Sequence, residues 1–427
     1  MISVQENERL TRIGPGAPMG ALLRRYWMPI AISADVAGRP VARRLLGEDL
    51  VVFRSGDGKV GVVDRQCPHR RADLAVGVCE QTGLRCGYHG WMYRHDGQCV
   101  EQPAEPRLNP NMKIKAYPAE ELGGLVWAYM GPAPAPLLPR FDLFVRDGVA
   151  RDIGHAMLDL NWLQAMENSV DPHHVEWLHG RFMNYWRALD DAEQSPILAK
   201  KHVKVGFDEF EYGIIKRRVV EGGTEEDDDW KIGHPLVFPI TLRVGSGGVD
   251  QFQIRVPIDD THTWHIWYTV YAPSVPVPEQ AQRQVPSYEV PLFNAKGERI
   301  LDFVDGQDIA AWAGQGVIAD RSKESLATSD VGVKMLRRML KAQMARVEAG
   351  QDPLGTVRDP ARNQCIDLPM EREKYGGGAA FRDALFTFQA IRHSPIRDQM
   401  RELFRQGGAP TSAKLAQDEP AARVGPE

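Results

Sequence analysis

A chain of 427 residues is long enough for two or three domains with sizeable cores. Its 43% hydrophobic and 26% charged residues exclude collagen, coiled coil and wholesale disorder. A net charge of −5, from 52 Lys+Arg against 57 Asp+Glu, excludes a basic nucleic-acid footprint and a polybasic membrane anchor.

The N-terminal stretch carries Glu6, Glu8 and Arg9 and no apolar run, so no secretory signal is expected and the chain is placed in the cytoplasm. Arg24–Ala34 begins an extended apolar stretch. From Val41 to Val63, short β-rich runs alternate with glycine-bearing turns such as Ser55-Gly56-Asp57-Gly58, which predicts a small β region. It continues to the strand-like Gly124–Met130. The longest uncharged run, Leu122–Pro139, contains Pro132, Pro134, Pro136 and Pro139, which excludes a membrane helix and marks a semi-rigid domain boundary. Residues 151–180 read as partly helical, and 200–220 and 236–271 carry strand patterns, so the second region is expected to be α+β. The acidic run Glu221–Asp229 reads as a solvated loop. Helical spacing of Val331, Met335, Leu336, Met339, Leu340 and Val347 predicts a helix started by Ser329 or Asp330 and ended at Gly350. The Gly/Ala/Pro/Glu-rich stretch from Gln406 onward reads as a disordered tail.

Five cysteines are too few, and odd in number, for a disulfide framework, so their spacing carries the information. Cys67-Pro68-His69 is followed, after a gap of sixteen residues, by Cys86-Gly87-Tyr88-His89. Two thiolates and two imidazoles can hold one tetrahedral zinc, but structural zinc sites usually group cysteines first and histidines second. Here each loop supplies one of each. That suits a [2Fe-2S] cluster of the Rieske type, in which one iron takes both cysteines and the other both histidines. Neutral imidazole in place of thiolate removes negative charge and raises the potential, which implies electron transfer. Cys79, Cys99 and Cys365 have no comparable pairing and read as packing residues.

Asn161–His179 concentrates His173, His174 and His179 with Glu167, Asp171 and Glu176. On a regular helix His174 and His179 point in different directions, so they can face one metal only if the helix ends or bulges between them. Asp171 and His174 share a face. Two histidines and one carboxylate on one side of iron form the oxygen-activating facial triad. The missing carboxylate is sought among Asp302, Asp305 and Asp308, which recur every third residue; the same spacing also suits a solvated helix face.

The two motifs together resemble the Rieske non-heme iron, aromatic-ring-hydroxylating oxygenases. Gly14–Gly20, Arg25–Pro29, Leu45–Leu50, Val256–Thr263 and Asp320–Glu324 look like the phthalate 4,5-dioxygenase branch, as its oxygenase (alpha) subunit. The resemblance implies an α+β fold: an N-terminal Rieske [2Fe-2S] β-sandwich domain followed by a helix-wrapped antiparallel-sheet catalytic domain. Its layout would be residues 1–40 packing on the catalytic domain, 41–140 the Rieske domain, 141–405 the catalytic domain and 406–427 the tail. Cys67, His69, Cys86 and His89 would bind the cluster. His174, His179 and Asp308 would bind mononuclear Fe(II), with Asp305 the second choice for the carboxylate. Asp171 would bridge the Rieske histidine of one subunit to an iron-ligand histidine of its neighbour, in a homotrimer or a hexamer of two stacked trimers. His173 would be structural. A separate reductase would deliver electrons from NAD(P)H, and O2 would be used to cis-dihydroxylate an aromatic carboxylate, with monooxygenation or O-demethylation of an aryl substrate as the alternative. Arg218 and Arg243 are named for the substrate carboxylate, against the reading of each as an ordinary surface or salt-bridged arginine, and Trp162, Phe238 and Trp312 for an aromatic pocket, against plain core packing.

Overall fold

The computed structural model describes residues 2–189 and 197–407. The chain starts with the helix Val4–Thr11, capped where the Ser3 hydroxyl accepts the Glu6 N–H at 3.0 Å. This helix reaches far along the sequence: Asn161 donates to the Thr11 carbonyl at 3.1 Å, and Leu10 is wholly buried. The strand Trp27–Ile32, buried throughout, then pairs antiparallel with Leu125–Tyr129, which also pairs with Ala119–Leu122.

Two small antiparallel sheets lie between these strands in sequence. One runs Val41–Leu45, Glu48–Arg54, Val60–Asp64, Ala116–Tyr117; the other runs Val78–Cys79, Leu84–Arg85, Met92–Tyr93, Cys99–Glu101. Val51, Phe53, Val63, Leu84, Trp91 and Tyr93 form a core shared with Cys67 and Cys86. The hairpin between the first two strands turns on Leu46 and Gly47, both at positive φ (49° and 79°), as a two-residue turn compatible with strand twist requires. Its N–H groups bond the carbonyls of Pro257 and Ile258 at 3.2 and 2.8 Å, which fastens this sheet to the larger C-terminal region.

The C-terminal region is built on an eight-stranded sheet. In spatial order its strands are His202–Phe210, Gly213–Val220, His234–Val237, Thr241–Ser246, Val249–Pro257, Thr263–Tyr271, Ala150–Leu158 and Ser287–Glu289, antiparallel except for the last pair. Thr263–Tyr271 is rich in aromatic and β-branched residues and is buried at every position, as a central strand covered on both faces should be. The helices Trp162–Ser169, Val304–Gly314, Val331–Glu348, Gly378–Phe388 and Arg397–Gly407 complete the α+β architecture. None of the described helices is long and apolar enough to cross a membrane.

Several local expectations are corrected. Residues 150–158 form a strand, not part of a helical stretch. The helix Val331–Glu348 buries Leu336, Met339, Leu340 and Val347 as its spacing predicts, but leaves Val331 47% exposed, and the Asp330 carboxylate accepts the Ala327 N–H instead of capping the helix. The acidic run is not wholly solvated, because Asp229 is buried as a counter-ion to Arg218. Cys365 is exposed, not packed. Gln406 and Gly407 end a helix, and the rest of the expected tail, 408–427, lies outside the described residues.

Candidate metal centres

The first centre sits on two loops. The Cys67 loop is closed by Cys67 N–H to Ala72 carbonyl at 2.9 Å and Arg71 N–H to Cys67 carbonyl at 2.8 Å, and the Cys86 loop by the reciprocal Cys86 N–H to Trp91 carbonyl at 2.8 Å and Gly90 N–H to Cys86 carbonyl at 3.0 Å. Both cysteines are buried, and the His69 and His89 rings lie 4.6 Å apart between centroids. Trp91 stacks on His69 at 4.4 Å and fixes that ring. The residues fit a shared cluster on two grounds. The buried His69 Nδ1 has no hydrogen-bond partner, and burial raises the Cys67 thiol pKa, partly opposed by the Tyr93 hydroxyl 3.2 Å from its sulfur, while the neighbouring Cys86 raises it further. Two thiols crowded together in an apolar core suit an electron-deficient metal group that takes them as thiolates.

The second centre needs residues far apart in sequence. From Val175 to Phe182 the backbone is a π-helix, whose i→i+5 bonding brings residues five apart to one side. This meets the condition set by the spacing of His174 and His179: their ring centroids lie 5.1 Å apart. Gly180 allows the widened turn to pack closely, since a Cβ there would come 2.5 Å from Ala199 Cα. The helix Val304–Gly314 supplies the acid. Asp308 Oδ1 lies 3.1 Å from His179 Nε2 and 3.7 Å from His174 Nε2. One donor atom from each of His174, His179 and Asp308 falls within 4.8 Å of the others, which fits a single metal ion.

The surrounding contacts orient these donors. Gln307 Oε1 is 3.0 Å from His179 Nδ1, leaving Nε2 toward Asp308, and Asn168 donates to Asp308 Oδ1 at 3.2 Å. His179 is 3% exposed and Asp308 7%. Burial opposes charge on both, yet their mutual attraction raises the His179 pKa and lowers that of Asp308. Asp171 Oδ2 lies 3.5 Å from His174 Nδ1, short of hydrogen-bond geometry, while its Oδ1 accepts the His173 N–H at 2.8 Å. Despite burial, which pushes the other way, His174 helps hold the Asp171 carboxyl below its ordinary range.

Asp305 points into a different network: it accepts from Trp267 Nε1 and Ala390 N–H, each at 2.7 Å. Asp302 is outside the helix, paired with Arg392 at 2.8 Å. His173 turns toward His202, 5.7 Å between rings.

The triad lines a cavity whose apolar wall includes Leu198, Leu242, Val244, Leu385 and Phe388. The residues named for substrate fare differently. Arg218 lines this cavity but is bound by Asp229 and Glu371 at 2.9 and 3.2 Å. Arg243 is tied to Asp142 and the Leu368 carbonyl. Trp162 and Phe238 belong to the main core, and Trp312 lines a neighbouring groove that also reaches Asp171 and His174. Sequence reasoning missed Asn168, Gln307, Lys216 and Tyr375. Only Lys216 had a usable signal, since it alternates with Ile214 and Arg218 on the buried face of its strand.

Comparison with known proteins agrees with this geometry. Residues 26–118 match the Rieske [2Fe-2S] domain family, and 300–366 a family described as LigXa C-terminal domain like. The chain is 42% identical, over 91% of its length and 94% of the relative's, to the 5,5'-dehydrodivanillate O-demethylase oxygenase subunit of Sphingobium sp. SYK-6. It is 34% identical, over 83% of its length and 89% of the relative's, to the phthalate 4,5-dioxygenase oxygenase subunit of Pseudomonas putida. The solved structure of NdmA from Pseudomonas putida CBB5 shares the fold, with a TM-score of 0.58 at 20% identity over 80% of this chain and 97% of that one. The chain therefore belongs to the Rieske non-heme iron oxygenases, as the oxygenase component of a multicomponent system. Its cofactors are a Rieske [2Fe-2S] cluster and a mononuclear iron, and its electrons come from a reductase.

Proposed function

We propose that Cys67, His69, Cys86 and His89 hold the Rieske cluster, that His174, His179 and Asp308 hold the mononuclear iron, and that the adjoining cavity binds an aryl substrate for oxygenation. The observation that carries this reading is the convergence of two imidazoles and one carboxylate within 4.8 Å on the wall of a largely apolar cavity. When bound, iron on such a triad supplies oxygen activation and the cluster supplies electrons. The chain's own residues do the rest. Gln307 fixes the His179 ring, Asn168 steadies Asp308, and the apolar wall excludes water and positions the ring of the substrate. Asp171, beside His174 and half-exposed, serves as the hydrogen-bonding link to the Rieske histidine of a neighbouring subunit in a homotrimer or stacked hexamer. The reductase draws on NAD(P)H.

The expected outcome is hydroxylation of the ring, as cis-dihydroxylation. A second reading, monooxygenation leading to O-demethylation, is favoured by one observation: the relative at 42% identity is an O-demethylase subunit, whereas the phthalate dioxygenase subunit is at 34%. Turnover of a methoxylated benzoate with a reductase separates them, through formaldehyde on one side and a cis-diol on the other. His179→Ala should retain the Rieske signal and yield neither product. If that variant still consumed O2 in step with product, the triad assignment would be wrong.

A further inference from the structure

The cavity beside the triad is lined by cations as well as apolar side chains. The strand Gly213–Val220 turns Ile214, Lys216 and Arg218 to its buried face, and Lys216 is only 3% exposed. Around it the charges are matched in pairs. Arg218 is held by Asp229 at 2.9 Å and Glu371 at 3.2 Å, and Lys374 by Glu371 at 3.1 Å. The His234 ring nitrogen also approaches Glu371, at 2.9 Å. Burial keeps the His234 imidazole neutral, so Arg218 and Lys374 use up the charge of Asp229 and Glu371, and the Lys216 ammonium has no hydrogen-bond or ion-pair partner among the described residues. A buried ammonium without a partner is costly, and the fold relieves the cost only partly: burial, then Arg218 and Lys374, push the Lys216 pKa down to about 7.

A second polar group in the same cavity is also unpartnered. The Tyr375 hydroxyl is buried and makes no hydrogen bond. Its ring is fixed by the Arg218 guanidinium 4.5 Å from its centroid, and its N–H is bound by Asp229 Oδ2 at 2.6 Å, holding the residue at φ 56°. This non-glycine residue in the left-handed region is kept there by surroundings that also orient the hydroxyl. An ammonium and a phenol, both donors and both without acceptors, share a cavity with an apolar wall and the triad. An acidic group on an aromatic ring meets all of these at once: its oxygens accept from the donors, its charge offsets the surplus positive charge, and its ring lies against Leu242, Leu385 and Phe388.

We infer that Lys216, assisted by the Tyr375 hydroxyl, is the position in the substrate cavity that binds an acidic group on the aryl substrate and selects for it over a neutral one. This rests on the reading of the cavity as the substrate site. It also replaces Arg218 and Arg243, whose guanidinium groups are already committed to protein carboxylates.

The test is calorimetric binding of 4-methoxybenzoate and of its neutral analogue 4-methoxybenzamide to the anaerobic, cluster-loaded holoenzyme. The wild type should bind the acid more tightly than the amide. Lys216→Met should weaken acid binding roughly 10- to 100-fold, the size of a lost charge-assisted hydrogen bond, and change amide binding by less than about twofold. Lys216→Arg should restore most of the preference for the acid, which a merely structural role would not do. The inference is overturned if the wild type binds the acid no better than the amide, or if Lys216→Met weakens both ligands equally or neither. Failure of the underlying site reading would look different: His179→Ala would keep its mononuclear iron by metal analysis, whatever Lys216 does.

Discussion

The two centres are built in opposite ways. The N-terminal one comes from two neighbouring loops, residues 67–69 and 86–89, at the rim of a small sheet with Tyr88 58% exposed and Val76 77% exposed beside it. The catalytic one joins a π-helix to a helix more than a hundred residues later, as the His179–Gln307 contact across 128 positions illustrates, and it is almost fully buried. The contrast follows from the chemistry. A centre that receives and passes electrons must be approached by other proteins, so it sits where a partner can come close. A centre that handles oxygen and an apolar substrate is better enclosed, where water is excluded and donors are fixed by packing.

The charge environments differ too. In the N-terminal region Asp49 and Asp73 pair with Arg44 and Arg65, whose side chains lower their pKa values. The catalytic sheet instead buries Asp152 with no cation beside it among the described residues; its carboxylate accepts from the hydroxyls of Tyr271 and Ser394, and burial raises its pKa to about 6.

The largest expected break in this comparison comes from removing the proposed link between the centres. Asp171→Asn should leave both centres loaded, by EPR and iron content, yet lower coupled turnover about 10- to 100-fold. Unchanged turnover would mean that the carboxylate does not connect them. A smaller effect sharpens the electrostatic contrast. The folded-state pKa of Asp152 is raised, so its contribution to stability is fully present below its ordinary value of 3.8 and is lost as pH rises through about 6. Asp152→Asn keeps an acceptor for both hydroxyls but cannot ionise. In urea unfolding, its stability relative to wild type should therefore increase by about 1 to 1.5 kcal/mol between pH 5 and pH 7.5. The Arg-paired Asp73 carries the opposite sign: its contribution is present above the ordinary carboxylate range and lost as pH falls. A constant difference between wild type and Asp152→Asn would show that Asp152 does not titrate in this window.

The legibility of the two centres in the sequence follows the same division. The N-terminal motif is local, so the paired Cys-x-His and Cys-x2-His spacings named Cys67, His69, Cys86 and His89, though not Trp91 and Tyr93, which pack against His69 and Cys67. For the catalytic centre the spacing of His174 and His179 required an irregular helix, and the π-helix is that irregularity. The choice between Asp305 and Asp308 could not be made from a three-residue repeat, because it depends on which carboxylate Trp267 and Ala390 engage from other elements. The choice between a substrate-binding and a salt-bridged arginine was open in the sequence for a related reason. Arg218 and Arg243 lie on the expected strands, but their partners Asp229, Glu371 and Asp142 come from distant segments, and only the folded chain shows that Lys216 is the cation left without one.

The central claim is that this one chain carries both centres on the residues named. The most direct test is iron and acid-labile sulfide analysis with reduced-state EPR, on anaerobically purified wild type and on the His69→Ala and His179→Ala variants. The wild type should contain about three irons and two sulfides per subunit with a Rieske signal, His179→Ala about two irons with sulfide and signal intact, and His69→Ala neither the signal nor a full sulfide content. Zinc without sulfide in the wild type, or three irons retained in His179→Ala, would contradict it.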